Sequence, residues 1–350
     1  MFKPFIRCSI ALLFAAASLS SHAADPKPPM PVQEITTYQG ADREERLLEG
    51  AKKEGEVTVY HAYPQLSNVT AAFTKKYGIK VKNWRSGSEA ILQRVVSEAR
   101  GKKFDVDIIH NNAPESEALH REGLIQPVKS PHLKDIMPAA IPAHGDWVGI
   151  AMDVYSAAYN TNSVKKEDLP KSYKDLLDPK WKGKLAVEAE DQGWFNTLVG
   201  LMGEQQGLKL FSDIVATNGI SMRKGHSLLA QLVASGEVPL ALSAYSWTPD
   251  LMKEKGAPIQ GFLIDPVVAQ FSSISMAKRA PHPYAAALFY DFMLTEGEKI
   301  LADLKFVPTS KVVPSPIPAG TNIKYVDPVQ ALDNNEKWIK TFQNTMKSGK

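Results

Sequence analysis

Between Val187 and Phe195 the chain reads VEAEDQGWF, with three carboxylates (Glu188, Glu190, Asp191) between an apolar run and a Trp-Phe pair. Acids at this place admit two readings. An acid at a helix N-terminus is favourable in itself, and Asp191 can cap the WFNTLVGL helix that follows. Alternatively, Glu190 and Asp191 face a cleft and welcome a cation; one cap does not need both. A second chemical cluster is Ser243-Ala244-Tyr245-Ser246-Trp247, between a strand and a helix. Tyr245 there offers a phenolate to a hard metal, or a stacking face with a hydroxyl, unless it is a core tyrosine. Ser246 adds a hydroxyl and Trp247 an aromatic wall.

Further candidates stand at the carboxyl ends of other strands, where open α/β sheets place their ligand crevice. His61 and Tyr63 follow EVTVY, and His110 with Asn111 follows VDII. A hydrogen-bonded structural histidine is an equal reading of His61. Arg85-Ser86-Gly87-Ser88 gives a basic, hydroxyl-rich helix start at which Ser88 can meet an anionic group. The plainer reading there is a capping box running from Ser86 to Glu89. Paired with the acidic loop, this start would suit a zwitterion. Arg223 precedes the SLLAQLVAS helix, and by pairing with Glu190 or Asp191 it would cancel their charge. If a metal binds, the candidates are His61, Glu190 and Tyr245. No HExxH, no GxSxG and no Walker-type glycine loop occurs, so no catalytic residue is assigned and the chain is expected not to be an enzyme. An exported enzyme on the same scaffold is the competing class.

The elements that must hold these residues alternate between strand and helix: EVTVYHAY, a helix from about Ser67, IKVKNW, a helix with Ile91, Leu92, Val95 and Val96 on one face, then VDII. Helices stopped by glycine between strands predict an α/β chain with mainly parallel sheets. WVGIAMDVYSAAYNT is too long for one ordinary buried strand and can pass between lobes. DPVVAQFSSISMA can return the chain. Two such crossings predict two lobes, a two-stranded hinge and a cleft between. The expected boundaries are 42–150 with 272–327 for the first lobe and 151–271 for the second, with a C-terminal helix over 328–350 packed on both.

The ends and composition set the compartment. Lys3 and Arg7, an apolar run from Ile10 to Leu19 and Ser21-His22-Ala23 make a cleavable signal peptide over 1–23, too short for a stable span. The proline-rich stretch over 24–41 reads as a flexible leader. The single cysteine, Cys8, lies in the removed segment, which excludes disulfides and thiolate sites from the exported chain. A net charge of +3 with interspersed signs gives no footprint for nucleic acid.

EGEVTVYHAY, REGLIQPVKSP, DWVGIAMDVYSAAYNTNSV, EDLPKSYKDLLDPKWKGKLAV, SGEVPLALSAYSW and HPYAAALFYDFMLTEGEKIL together resemble periplasmic solute-binding proteins of ABC importers. The resemblance is to extracellular solute-binding protein family 1, in its ferric-ion-binding branch, from about Leu47 to Pro314. It implies a two-lobe Venus-flytrap of type II, monomeric and periplasmic. Such a protein closes on a small solute and delivers it to an inner-membrane permease driven by an ATPase. Tyr245 matches the first of two adjacent tyrosines in ferric-binding members. Ser246 stands at the second, and Pro64 falls where a histidine is expected. That departure favours a small organic ion over ferric iron or another hard cation. No resident cofactor is expected; iron would be cargo.

Overall fold

The computed structural model describes residues 30–347; the signal-peptide reading lies outside them. The first lobe opens with α1 (Arg43–Glu54), β1 (Glu56–His61), α2 (Leu66–Tyr77), β2 (Lys80–Arg85), α3 (Ser88–Arg100), β3 (Ile108–Asn112), α4 (Ala113–Arg121) and the short β4 (Ile125–Gln126). The long β5 (Trp147–Asn160) then leads into the second lobe: β6 (Leu185–Glu188), α5 (Gln192–Met202), α6 (Glu204–Asn218), β7 (Ile220–Arg223), α7 (His226–Ser235), β8 (Leu240–Tyr245), α8 (Trp247–Glu254) and β9 (Ile259–Phe262). β10 (Val267–Ala277) returns to α9 (Pro283–Phe292), α10 (Glu298–Asp303), β11 (Val307–Pro308) and β12 (Ile323–Tyr325), before α11 (Pro328–Asp333) and α12 (Asn335–Lys347) close the chain.

The sheet order β2-β1-β3-β10-β5-β8-β6-β7 is continuous through the two long strands. β1 pairs in parallel with β2 and β3, and β6 pairs in parallel with β7 and β8. β5 and β10 are antiparallel to each other, and each joins its own lobe's parallel set. Every residue of both long strands is buried, as expected for strands covered on two faces. Their pairing slips between Ser272 and Ser273, and the β5–β8 pairing slips between Ser156 and Ala158. An extra residue in a ladder bends a strand and raises its twist, which lets one sheet serve two lobes.

Amphipathic helices cover the sheet. α1 buries Leu47 and Ala51 and ends at Gly55, whose φ of 74° is the left-handed cap that glycine supplies without strain. Gly50 on the same face lies so close to Tyr284 that an added Cβ would sit 2.2 Å from its ring, so α1 meets α9 only because that position has no side chain.

Two expectations need correction. From Met30 onward the leader is packed: Met30 and Ile35 are buried, and the Arg43 guanidinium donates to the Ile35 carbonyl at 2.7 Å and the Tyr38 carbonyl at 2.6 Å. The same arginine pairs with Asp291 of α9 at 2.6 Å, which fastens the segment to the first lobe. The single C-terminal helix is two. α11 lies on α4 of the first lobe, where Arg121 pairs with Asp333. α12 lies on α5 and α6 of the second, with Phe342 against Phe195 at a ring separation of 5.2 Å.

Candidate functional site

The parallel strands of both lobes point their carboxyl ends at one crevice of about 1080 Å³. Loops after β1 and β2 and the starts of α3 and α4 line one wall. Loops after β6, β7 and β8 line the other, and Tyr155 of β5 and Gln270 of β10 form the floor. Tyr63, Ser88, Glu190, Asp191, Tyr245 and Trp247, all expected at the site, border this cleft.

Five other expected residues do not border it. His61 is buried and its Nδ1 lies 2.9 Å from the Tyr63 carbonyl; burial lowers its pKa. His110 is sealed between the Ala62 N–H and the Ser272 hydroxyl, and burial, with help from His61, pushes it down to about 3. Asn111 donates to the Ser88 carbonyl. The Ser246 hydroxyl is buried beneath the wall without a partner. Arg223 turns away to Glu237 at 3.6 Å. The reasons differ: His61 and His110 are register partners on neighbouring strands and share the buried layer below the crevice, whereas Arg223 turns outward to its partner.

The acidic loop is resolved in detail. Asp191 stands at the N-cap of α5 yet makes no capping bond; its Oδ1 lies 3.3 Å from His226 Nε2. Lys224 pairs with exposed Glu190 at 2.7 Å, so partial neutralisation comes from Arg223's neighbours and not from Arg223. Glu188, the third carboxylate, reaches inward: it accepts the N–H of Glu190 at 2.6 Å and of Gly225 at 2.8 Å. The capping box at Ser86 is also absent; Gly87 is the N-cap of α3 and no side chain caps it.

The His61, Glu190 and Tyr245 metal set is therefore not assembled. Ligand atoms of Glu188, Asp191 and His226 lie within 4.8 Å of one another instead. The sequence pattern assigned no ligand role to His226, Tyr155, Gln270, Glu115 or Asp153. Charge density in the VEAED loop was the available signal for Glu188; buried strand residues such as Tyr155 carried none.

Electrostatics follow burial. Burial and neighbouring Asp191 push Glu188 up to about 7, against the opposing pull of His226. Asp153, beneath the wall, is pushed up to about 6 by burial, although the Tyr63 hydroxyl at 2.8 Å and the Trp247 indole at 3.3 Å both donate to its Oδ1. His226 would be lowered by burial, but Asp191, Glu188 and Asp153 outweigh that and raise it. Its ring stacks on Tyr245 at 3.6 Å. Tyr63, Tyr155 and Tyr245 are all held well above the usual phenol range by burial and nearby acids. Gln270 donates to the Tyr245 oxygen at 2.6 Å. Asp191 Oδ2, Asp153 Oδ2, Glu115 Oε2 and His226 Nδ1 are sealed from water without a hydrogen-bond partner. A buried polar atom left unpaired is costly; Asp191, Glu115 and His226 carry theirs at the cleft border, whereas Asp153 lies beneath it.

Two lobes hinged on β5 and β10 around such a crevice narrow the identity, and residues 106–334 match the family model described as bacterial extracellular solute-binding protein. The chain belongs to that family. Among similar proteins is Iron uptake protein A1 of Synechocystis sp., 26% identical over 260 residues, which are 69% of this chain and 71% of that protein. Iron-bound HitA from Pseudomonas aeruginosa superposes with a TM-score of 0.72 at 24% identity, covering 83% of this chain and 99% of that one. The periplasmic binding protein AfuA from Actinobacillus pleuropneumoniae, with fructose-6-phosphate bound, gives 0.73 at 22% identity, over 84% and 99%. At these identities the structural likeness shows the two-lobe fold alone. The two ligands differ in charge and kind, so the ligand must be argued from the residues of the site.

Proposed function

We propose that this solute-binding protein is the periplasmic capture component of an ABC importer and takes a small organic ion between its lobes. The lobes, over 42–150 with 272–327 and over 151–271, close about β5 and β10, and a ligand favours the closed state by the contacts it makes only there. The loaded protein then presents its solute as a monomer to the membrane permease and its ATPase. Nothing in the cleft calls for bond-making, and the matching family model is one of solute-binding proteins.

One observation carries the organic-ion reading: Asp191 Oδ2 is buried and unpartnered beside a tyrosine wall whose hydroxyls are kept protonated. A ferric ion would have to displace the protons of these phenols on binding, whereas an ammonium meets the unpartnered carboxylate oxygen directly. The second tyrosine of the ferric pattern is Ser246, whose hydroxyl lies outside the cleft lining. A hard-cation reading keeps one specific support, the Glu188, Asp191 and His226 cluster, together with relatives named for iron.

Ferric citrate titrated into metal-stripped protein separates the two. The expected result is no tyrosinate-to-iron absorbance band and no rise in melting temperature. A band that disappears in Tyr245→Phe would establish iron as the cargo and end the organic-ion reading.

A further inference from the structure

The cleft holds orphaned carboxylate oxygens on both of its walls, and this says more than that a cation is welcome. In the second lobe, Asp191 is 3% exposed; one oxygen faces His226 and the other has no partner. In the first lobe, Glu115 opens α4 and borders the same cleft, with its Oε2 sealed and unpaired. Between these walls stand Tyr155, Tyr245 and Trp247, all buried and bordering the cleft, with His226 stacked on one face of Tyr245 and Phe306 on one face of Trp247. The basic groups at the cleft are exposed Arg85 and Lys224, the latter already paired with Glu190, and His226, already turned to Asp191.

We infer that the cleft is built for an organic cation with two separated positive groups, one received by Asp191 in the second lobe and the other by Glu115 in the first. A single ammonium would satisfy one wall and leave the other carboxylate buried without a partner, at the cost of an uncompensated polar group. A zwitterion would bring its own carboxylate against an acidic wall. An aliphatic diamine satisfies both ends and lays its methylenes on the tyrosine and tryptophan faces, where apolar contact and cation–π attraction both act. Because the two acids lie on opposite lobes, such a ligand also ties closure to its second charge. This rests on the organic-ion reading above and narrows it.

The test is calorimetric titration of the purified chain with 1,4-diaminobutane, 1-aminobutane, 4-aminobutanoate, inorganic phosphate and ferric citrate. The diamine should bind at least about tenfold more tightly than the monoamine, since one charge-assisted pair contributes on the order of 1.5–3 kcal/mol. Glu115→Gln should erase that preference, whereas Asp191→Asn should weaken both amines. Melting temperatures show whether each variant is folded, and the ratio between the amines in the unsubstituted chain needs no variant. Equal affinity for the amines, or a preference that survives Glu115→Gln, overturns the two-charge assignment while leaving the organic-ion reading in place. Tightest binding of the zwitterion or of phosphate does the same. Binding of ferric citrate alone removes both readings, and binding of no probe overturns the diamine class.

Discussion

Affinity for a dicationic ligand should depend on pH through Glu115. Burial pushes this carboxyl up to about 7, opposed by a backbone N–H that bonds it and helped slightly by Glu89 on α3. The free protein therefore holds a proton there at pH 6 and has largely lost it at pH 8. A bound ammonium favours the ionised form, so the ligand must displace the proton at low pH and need not at high pH. Taking about 7 for the free protein, the fraction ready to bind rises about tenfold between pH 6 and pH 8, equivalent to about 1.4 kcal/mol. Affinity for 1,4-diaminobutane should rise by that factor over this window. At pH 7 about half a proton should leave for each ligand bound, read as the difference in binding heat between phosphate and Tris buffers. Glu115→Gln should bind more weakly, and the steepness lost relative to the parent isolates Glu115 from His226, whose protonation also opposes a cation at low pH. Equal pH slopes in parent and variant, with no difference in proton release, would refute the reasoning.

Two further expectations concern the frame. Arg43→Ala leaves Asp291 buried without its 2.6 Å partner and should cost about 3–5 kcal/mol, read as a lower denaturant midpoint at unchanged slope; a loss under about 1 kcal/mol would show that the packed leader is not held by this pair. Burial pushes Glu298 up to about 8 against the Ser310 N–H and Thr309 hydroxyl that bond it. The unfolded chain ionises this group first, so stability falls as pH rises from 5 to 8, at about 1.4 kcal/mol per pH unit. Glu298→Gln should remove that slope and gain on its parent as pH increases; a stability difference independent of pH would contradict it.

The architecture was legible because its signals were long. Fourteen and eleven consecutive buried residues in β5 and β10 announce themselves as apolar runs, and glycine stops mark the helices. Site residues were legible only where a loop concentrated them, as with Asp191, Tyr245 and Trp247. His61 and His110 misled because the strand-end rule gives a place in the chain and not a direction; the pleat sends both rings beneath the crevice. The capping readings of Asp191 and Ser86 failed in the opposite way. Both residues sit where a cap belongs, but the Asp191 carboxylate meets His226 and makes no capping bond to α5, and α3 begins later than a cap at Ser86 requires. Glu115 was hidden inside an ordinary helical start, since nothing in APESEALHR tells which acid will be buried at the cleft border.

The way the chain finishes has a practical consequence. Met30 is fixed beneath the hydroxyl of Tyr284 in the first lobe, whereas α12 is fixed to the second by Trp338 and Phe342. The two ends of the described chain therefore ride on different halves of the jaw. A donor dye near Met30 and an acceptor near Lys347 would form an optical caliper, reporting opening and closing in single molecules without any label in the cleft.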